Sequence, residues 1–484
     1  MTFIDGRQRW GVRRGQRSVE SVSLPMATTS LHTLPALVLA KLIREGAISS
    51  EELVRCHLER IEAKNPSLSA FVTVFDDAVQ IARRKDRERL RRRKTLPPFH
   101  GVPIGIKDLN VVRFTRTRFG SRGMPPIVLP FDDANVRPLR RAGFVILGKL
   151  STSELGAMPV TEPDIHPPTR NPWSLAHTAG GSSGGSGAAV AAGMLPIAQG
   201  SDGAGSIRIP SSFCGLYGLK PSRGRVVNQF RFPDRRILYT SGPMARTVAD
   251  AAAMLDIMAG IDTGRPHWAP PPSLPFAVRR PTAKPLRIKV VESTGMVPTD
   301  PDVLAAVRHT ARILERMGHS VDEGKLPESG LGEFLPIWQR LIGGIPLMRW
   351  RRAQPVTAWL REGSRGLARA EVDALEDRLI ARFAPVFGTA DLWLTPTVAV
   401  GPPRIGAWAR LTPEDAFAEA AKLAAFTAVV NLVGLPAASI PAGISASGLP
   451  IGVQLIGDMF QESSVLSVSW DLEETLAWRQ LAPG

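Results

Sequence analysis

Between residues 30 and 95, apolar side chains recur at intervals of three and four, most clearly at Leu53, Cys56, Leu58 and Ile61. That period lays one stripe along an α-helix, so the spacing predicts helix through this region. Ser49 or Ser50, just ahead of Glu51 and Glu52, supplies the matching start signal: a hydroxyl able to accept from an otherwise unpaired N–H of the first turn. Helical patterns return in TVADAAAMLDIMAG (247–260) and DVLAAVRHTARILERMG (302–318). Between them lie short apolar runs bounded by proline or glycine: GVPIGIKD within residues 97–110, GFVILGKL (143–150), LRIKVVES (286–293) and LWLTPTVA (392–399). These read as strands. Strands alternating with helices predict an α/β fold, a sheet with helices on both faces.

The 484 residues suffice for a large core, and 44% hydrophobic with 21% charged residues is ordinary globular composition. No uninterrupted apolar stretch reaches the ~20 residues of a membrane helix. Two cysteines, Cys56 and Cys214, make no disulfide framework and no CxxC pair, as expected of a cytoplasmic protein. Eight scattered histidines without an HExxH-type pair give no support for a metal site.

The net charge of +16 raises the question of an acidic partner. Its densest segment, RRKDRERLRRRK (83–94), spreads charge around every face of a helix and interleaves Asp86 and Glu88. A solvated helix accounts for it better than a nucleic-acid surface, since only 11 of the 60 basic residues are lysine and arginine enrichment is general. The first 25 residues hold five arginines but no apolar core of signal-peptide length. They are expected to be a disordered extension of residues 1–26, with the natural beginning at Met26 and a single domain from 27 to 484. The Pro/Gly-rich stretch 263–285 fits a boundary or a surface crossover equally. The Trp-rich segment Phe334–Leu360 fits core packing, with a substrate-pocket wall or a membrane-touching cap as sharper readings.

Two glycine–serine knots carry the chemistry. GGSSGGS (180–186) runs into the small-residue helix pattern GAAVAAGML, and GSDGAGSIRIPSS (200–212) runs into FCGLYGLKP. A flexible linker has no reason to open a buried helix. In the second knot, small residues before Ser206 let several N–H groups converge on one point, which an oxyanion hole requires. Lys107 closes an apolar strand pattern in a chain that uses lysine sparingly. It either snorkels to the surface or pairs with Asp108, or it is desolvated and so left neutral enough to act as a base. Gly180, Ser182 and Gly184 also form G-x-S-x-G, but that elbow needs a later histidine, and His267, His309 and His319 sit in a loop or beside a surface-like helix.

In these blocks the chain resembles the amidase signature family over most of residues 27 to 480. The resemblance rests on the glycine–serine signature, the lysine motif GVPIGIKD, GFVILGKLSTSELG, GPMARTVADAA, LTPTVAVGPP and NLVGLPAASIPAG with GLPIGVQLIG, all in family order. It implies one α/β domain with a central mixed β-sheet covered by helices on both faces. It further implies a Ser–cis-Ser–Lys triad: Ser206 as nucleophile, Ser182 as bridging serine after a cis bond from Gly181, and Lys107 as base. The N–H groups of Gly203, Ala204, Gly205 and Ser206 would form the oxyanion hole. Ser183 would support the triad, and Asp202 and Arg208 would fix the nucleophile loop.

The implied activity is hydrolysis of a carboxylic amide through an acyl-enzyme, with no cofactor and no metal. The expected partner is a small-molecule amide, with no specific nucleic acid and no transmembrane segment; a homodimer is left open. Two other functions stay open: an amidotransferase A-type subunit supplying ammonia, against which the Trp-rich segment stands, and a catalytically silent amide-binding relative. This sequence departs from the family at Ala204, where glycine is usual, and in NVVRFTRTRFGS, whose Phe114, Arg116, Arg118 and Phe119 would narrow the pocket or charge its mouth.

Overall fold

In the computed structural model of the chain, described for residues 31–92, 95–227, 238–260, 268–282, 285–478 and 481–483, an alternation of inward and outward side chains along short strands organises everything else. Thirteen strands occur among the described residues: β1 (Phe71–Val74), β2 (Pro103–Lys107), β3 (Val145–Leu150), β4 (Arg170–Asn171), β5 (Ser174–Thr178), β6 (Ile197–Asp202), β7 (Tyr217–Lys220), β8 (Thr240–Ala245), β9 (Arg287–Val290), β10 (Ser320–Glu323), β11 (Leu392–Pro396), β12 (Ala437–Ile444) and β13 (Pro450–Gly457). β4 and β5 pair with each other, and the other eleven form one mixed sheet in the order β1-β3-β2-β6-β8-β7-β12-β13-β11-β9-β10. Parallel pairing joins β3, β2 and β6 at one end and β11, β9 and β10 at the other, with antiparallel strands between.

The two-residue period of a strand sends neighbours to opposite faces. Ile146 enters a cluster with Ile104, Ile106 and Ile197, while Val145 and Leu147 enter another with Ala198. On the far half of the sheet, Leu392 and Leu394 join the first cluster and Trp393 a third. The first face is therefore one continuous apolar layer, covered by the helices Ala36–Glu45, Val248–Met258, Pro301–Arg316 and Glu462–Leu476. The second face is covered in halves, by Ser50–Leu68, Ala78–Arg91 and Gly184–Ala191 over one and Arg369–Phe387 and Ala428–Val433 over the other. The expected α/β architecture, a mixed sheet with helices on both faces, is what the chain forms.

Continuous helix from 30 to 95 is not. Ser49 caps its helix with a full capping box to Glu52, but the helix ends at Leu68 and Phe71–Val74 pairs antiparallel with β3 at the sheet edge. Burial of Phe71 against the second-face cluster, and the Asn65 side chain bonding the Phe71 N–H and C=O at 2.7 and 3.1 Å, hold this segment extended. On the helix Ala78–Arg91, Arg83 pairs with Glu51 and Lys85 with Glu88. Among the described residues no helix is long and apolar enough to cross a membrane. Cys56 and Cys214 are free thiols. The extension expected over residues 1–26 lies outside the described residues, as do His267 and part of the 263–285 stretch.

Candidate active site

β2 carries Lys107 to the second face of the sheet, because Ile104 and Ile106 take the first. The ammonium nitrogen ends with no solvent exposure at all. Nζ lies 2.7 Å from Ser182 Oγ, 2.8 Å from Ser183 Oγ, 3.1 Å from Ser201 Oγ and 3.3 Å from the Ser201 carbonyl. Burial pushes its pKa down to about 7, against the opposing pull of the Asp202 carboxylate. Asp108 does not pair with Lys107: its Oδ1 accepts from Lys149 Nζ at 2.8 Å and its Oδ2 from the Arg118 N–H at 3.2 Å.

The first glycine–serine knot turns from β5 into the helix Gly184–Ala191, and the Gly181–Ser182 peptide in it is cis. A Cβ on Gly181 would fall 2.7 Å from the Val160 backbone, so only glycine fits there. The second knot leaves β6 at Asp202 and enters the helix Arg208–Cys214. The knots meet where the Ser183 N–H donates to the Ser206 carbonyl at 3.2 Å. The hydrogen bonds of the Lys107 amine stop at Ser182, Ser183 and Ser201; none reaches Ser206.

Asp202 is the organiser of the second knot. Its carboxylate accepts from the Gly205 N–H (2.7 Å), the Ile207 N–H (3.1 Å) and the Arg208 N–H (3.4 Å), and pairs with the Arg208 guanidinium at 2.9 Å. The ion pair is fully buried, and Arg208 holds the Asp202 carboxyl well below the usual range, against desolvation. Arg208 is shared onward to Gln454 Oε1 (2.6 Å), the Thr427 carbonyl (3.1 Å) and Asn431 Oδ1. The Gly205 N–H is taken by the Asp202 carboxylate at 2.7 Å. Those of Gly203, Ala204 and Ser206 have no partner among the described residues. Ala204 does not occupy the left-handed region that would have made alanine costly; Gly205 does, at φ +125°.

Ser206 opens onto a cleft of two lobes. One, of ≈ 1060 Å³ with its mouth, is walled by apolar side chains such as Phe334, Phe383, Phe417 and Leu432 and reaches Gly203, Ala204 and Ser206. The other, of ≈ 840 Å³ with its mouth, reaches Ser182, Ser201 and Ser206. Gly156, Gly203, Ser206 and Trp338 line both, and the Trp338 indole is fixed by its N–H to the Ala157 carbonyl at 3.0 Å. The helix Leu331–Gly343 thus puts the first tryptophan of the 334–360 segment in the cleft wall. Trp350 and Trp359 line neither lobe but pack in the apolar cluster that also holds Trp338, Trp359 against Phe417 with ring centroids 5.7 Å apart. Phe119 lines the second lobe, while Phe114 is 71% exposed.

Ser201, Thr427, Asn431 and Gln454 were not singled out by sequence reasoning; Trp338 belongs to the Trp-rich segment for which a pocket wall was one reading. Ser201, Asn431 and Gln454 lie inside blocks that carry the resemblance, which was the available signal. Thr427 and Gln454 become neighbours of Arg208 only through the sheet. Among the described residues no group of three His, Cys, Asp or Glu could hold a metal ion.

The class these features define is an α/β protein whose mixed sheet presents a buried lysine among serines beside an apolar cleft. The family model Amidase matches residues 52–335 and 348–466, and the chain belongs to the amidase signature family. It is 37% identical over 466 residues to a Synechocystis sp. protein that carries an amidase name, covering 93% of this chain and 90% of that one. It is 35% identical over 478 residues to the 6-aminohexanoate-cyclic-dimer hydrolase of Pseudomonas sp. (strain NK87), covering 91% and 94%. Among solved structures, a 6-aminohexanoate cyclic dimer hydrolase superposes with a TM-score of 0.85 at 32% identity, over 93% of this chain and 98% of that one. A bacterial aryl acylamidase superposes with a TM-score of 0.83 at 25% identity, over 93% and 98%. Like these relatives, the chain is an enzyme of the amidase class.

Proposed function

We propose that this enzyme hydrolyses a carboxylic amide to acid and amine through an ester on Ser206, with Ser182 and Lys107 relaying the proton, in a single catalytic domain spanning residues 27–484. The observation that carries this reading is the fully buried Lys107 amine, 2.7 Å from Ser182 Oγ with a pKa of about 7. A hydroxyl becomes a useful nucleophile only beside a base, and a lysine that is half neutral near pH 7 is one.

Neutral Nζ accepts the Ser182 proton while Ser182 Oγ accepts that of Ser206, whose oxygen bonds to the substrate carbonyl carbon. The N–H groups of Gly203, Ala204 and Ser206 receive the resulting oxyanion, and Thr427 Oγ fixes the neighbouring peptide by donating to the Ala204 carbonyl at 2.6 Å. The C–N bond then breaks as the nitrogen takes a proton from Ser182, which Lys107 replenishes. Water repeats the sequence on the ester, the relay taking its proton and returning one to Ser206. Ser183 keeps the Lys107 amine aimed: its hydroxyl, donating to the Ser201 carbonyl at 3.1 Å, accepts from Nζ at 2.8 Å.

The test is labelling with a fluorophosphonate followed by peptide mass mapping, together with amine release from an aryl amide. Label on Ser206 that is lost in Ser206→Ala along with turnover is the expected result. Label on Ser182, or hydrolysis persisting in Ser206→Ala, would sink it.

A further inference from the structure

We propose that the two lobes of the cleft divide the substrate at its scissile bond, the acyl half in the apolar lobe and the leaving amine in the lobe beside Ser182. We further propose that this second lobe selects an amine carrying a distal N–H donor, received by Asp133 and Asn135. The assignment rests on the amide hydrolysis proposed above and adds its substrate class.

The orientation follows from which lobe each working group reaches. Ser182, which must hand a proton to the departing nitrogen, lines the second lobe and not the first. The leaving nitrogen must therefore face the second lobe, because proton transfer needs hydrogen-bond reach. Ala204, with its unpartnered N–H, lines only the first. The first lobe is also the one suited to an acyl body: Phe334, Phe383, Phe417 and Leu432 supply apolar walls, and Ala424 and Ala428 leave width between them.

The second lobe mixes an apolar sleeve, with Leu109, Phe119, Ile342 and Ile345, with polar groups at Asp133 and Asn135. Each of those two side chains is pinned by one end and unsatisfied at the other. Asp133 Oδ2 accepts from the Val111 N–H at 2.8 Å and from Asn110 Nδ2 at 3.0 Å, but its Oδ1 has no partner. Asn135 Nδ2 donates to Ser241 Oγ at 2.7 Å, but its Oδ1 has none. Asp133 and Asn135 are 1% and 2% exposed. Buried acceptors held in place without a donor are costly. Two of them lining one lobe call for a ligand that brings N–H groups, and the carboxylate favours a cationic one. An apolar stem ending in a primary ammonium fits both features, which makes the natural leaving group a diamine and the substrate its monoacyl amide. A site with unpaired buried acceptors discriminates strongly against the analogue lacking the donor.

The experiment compares the N-butyl and N-(4-aminobutyl) amides of phenylacetic acid with wild type, Asp133→Asn, Asn135→Leu and Ala428→Phe, each checked for a native thermal transition. Wild type is expected to favour the aminobutyl amide by about tenfold or more in kcat/KM. In Asp133→Asn that ratio falls toward one, and in Asn135→Leu it falls in the same direction, so loss of folding in one variant leaves the other to decide. Ala428→Phe, which narrows the first lobe, penalises phenylacetyl relative to acetyl amides of the same amine and keeps the amine ratio. Equal wild-type rates on the two amides would overturn the lobe assignment while leaving amide hydrolysis standing. An Ala428→Phe effect on amine preference instead of acyl preference would reverse the orientation. Hydrolysis of neither amide, nor of any aryl amide, would remove both proposals.

Discussion

Lys107 and Asp108 are neighbours in sequence that face different partners: the Lys107 amine sits 2.7 Å from Ser182 Oγ, and the Asp108 carboxylate sits 2.8 Å from Lys149 Nζ. The carboxylate best placed by sequence to keep Lys107 charged is thus satisfied elsewhere. Burial then controls the lysine, and its pKa falls to about 7 from the ordinary 10.5.

The sign of the pH dependence follows. The relay needs the neutral amine, whose fraction rises with pH, so kcat/KM should climb through about pH 7 and reach a plateau above it. Below the midpoint it should fall about tenfold per pH unit. Lys107→Arg should show neither the limb nor the rate, because a guanidinium stays protonated. A pH profile on one amide for both proteins decides; near-normal rates with arginine would make Lys107 structural and end the triad reading.

Ser206→Ala and Ser182→Ala should separate by magnitude. Removing Ser206 takes away the attacking oxygen and should abolish turnover, a loss of about 10⁶-fold. Removing Ser182 breaks the proton relay while the N–H groups of Gly203, Ala204 and Ser206 remain. Its loss should therefore be about 10²–10⁴-fold, with measurable turnover. Steady-state rates at the pH plateau check this, and equal residual rates in the two variants would count against distinct roles.

What could be read in advance followed local rules. The Ser49 cap, the strands at 103–107, 145–150 and 392–396, and the helices at 248–258 and 301–316 each announce themselves by period or boundary residues. β6, β7, β12 and β13 do not: they are fully or mostly buried, and their Gly, Ala and Pro residues interrupt any regular alternation of apolar and polar positions. Lys107, Ser182, Ser183 and Ser206 stood out as chemistry in unexpected company, and they line or adjoin one cleft. Thr427 and Gln454 are more than 200 residues from Arg208 and become its partners only because the antiparallel strands fold back. Gly205 was the instructive case. The family resemblance implies its N–H as one of four oxyanion donors, and the Asp202 carboxylate, three residues earlier, accepts from it at 2.7 Å.

That capture predicts an asymmetry between two adjacent small residues. Gly205 sits at φ +125°, and a Cβ there would lie 2.3 Å from Thr427 Oγ1. Gly205→Ala should cost about 1–3 kcal/mol and displace the nucleophile loop, with loss of activity. Ala204→Gly meets no such limit and should change stability by less than about 1 kcal/mol. Urea unfolding midpoints and kcat for the two variants make the comparison; equal effects would show that the loop does not depend on the Gly205 backbone.

The Asp202–Arg208 pair should be the most expensive polar element of the site to break. Both side chains are fully buried, and the carboxylate also receives three backbone N–H groups that shape the loop up to Ser206. Asp202→Asn keeps the volume but leaves the Arg208 charge buried against amide and carbonyl groups, and an uncompensated buried charge costs about 3–5 kcal/mol. The variant should therefore unfold at markedly lower urea, and turnover should fall even where it remains folded, since the Gly205 N–H loses its charged acceptor. The same linkage has a definite sign. The native carboxyl is held far below its free value, so its stabilisation is complete above the free carboxyl pKa of about 4 and is lost as pH falls below that. Comparing urea midpoints at pH 7 and pH 3 for wild type and Asp202→Asn isolates that contribution. A smaller acid loss in the variant is expected, and an identical loss in both would show that Asp202 does not gate acid unfolding.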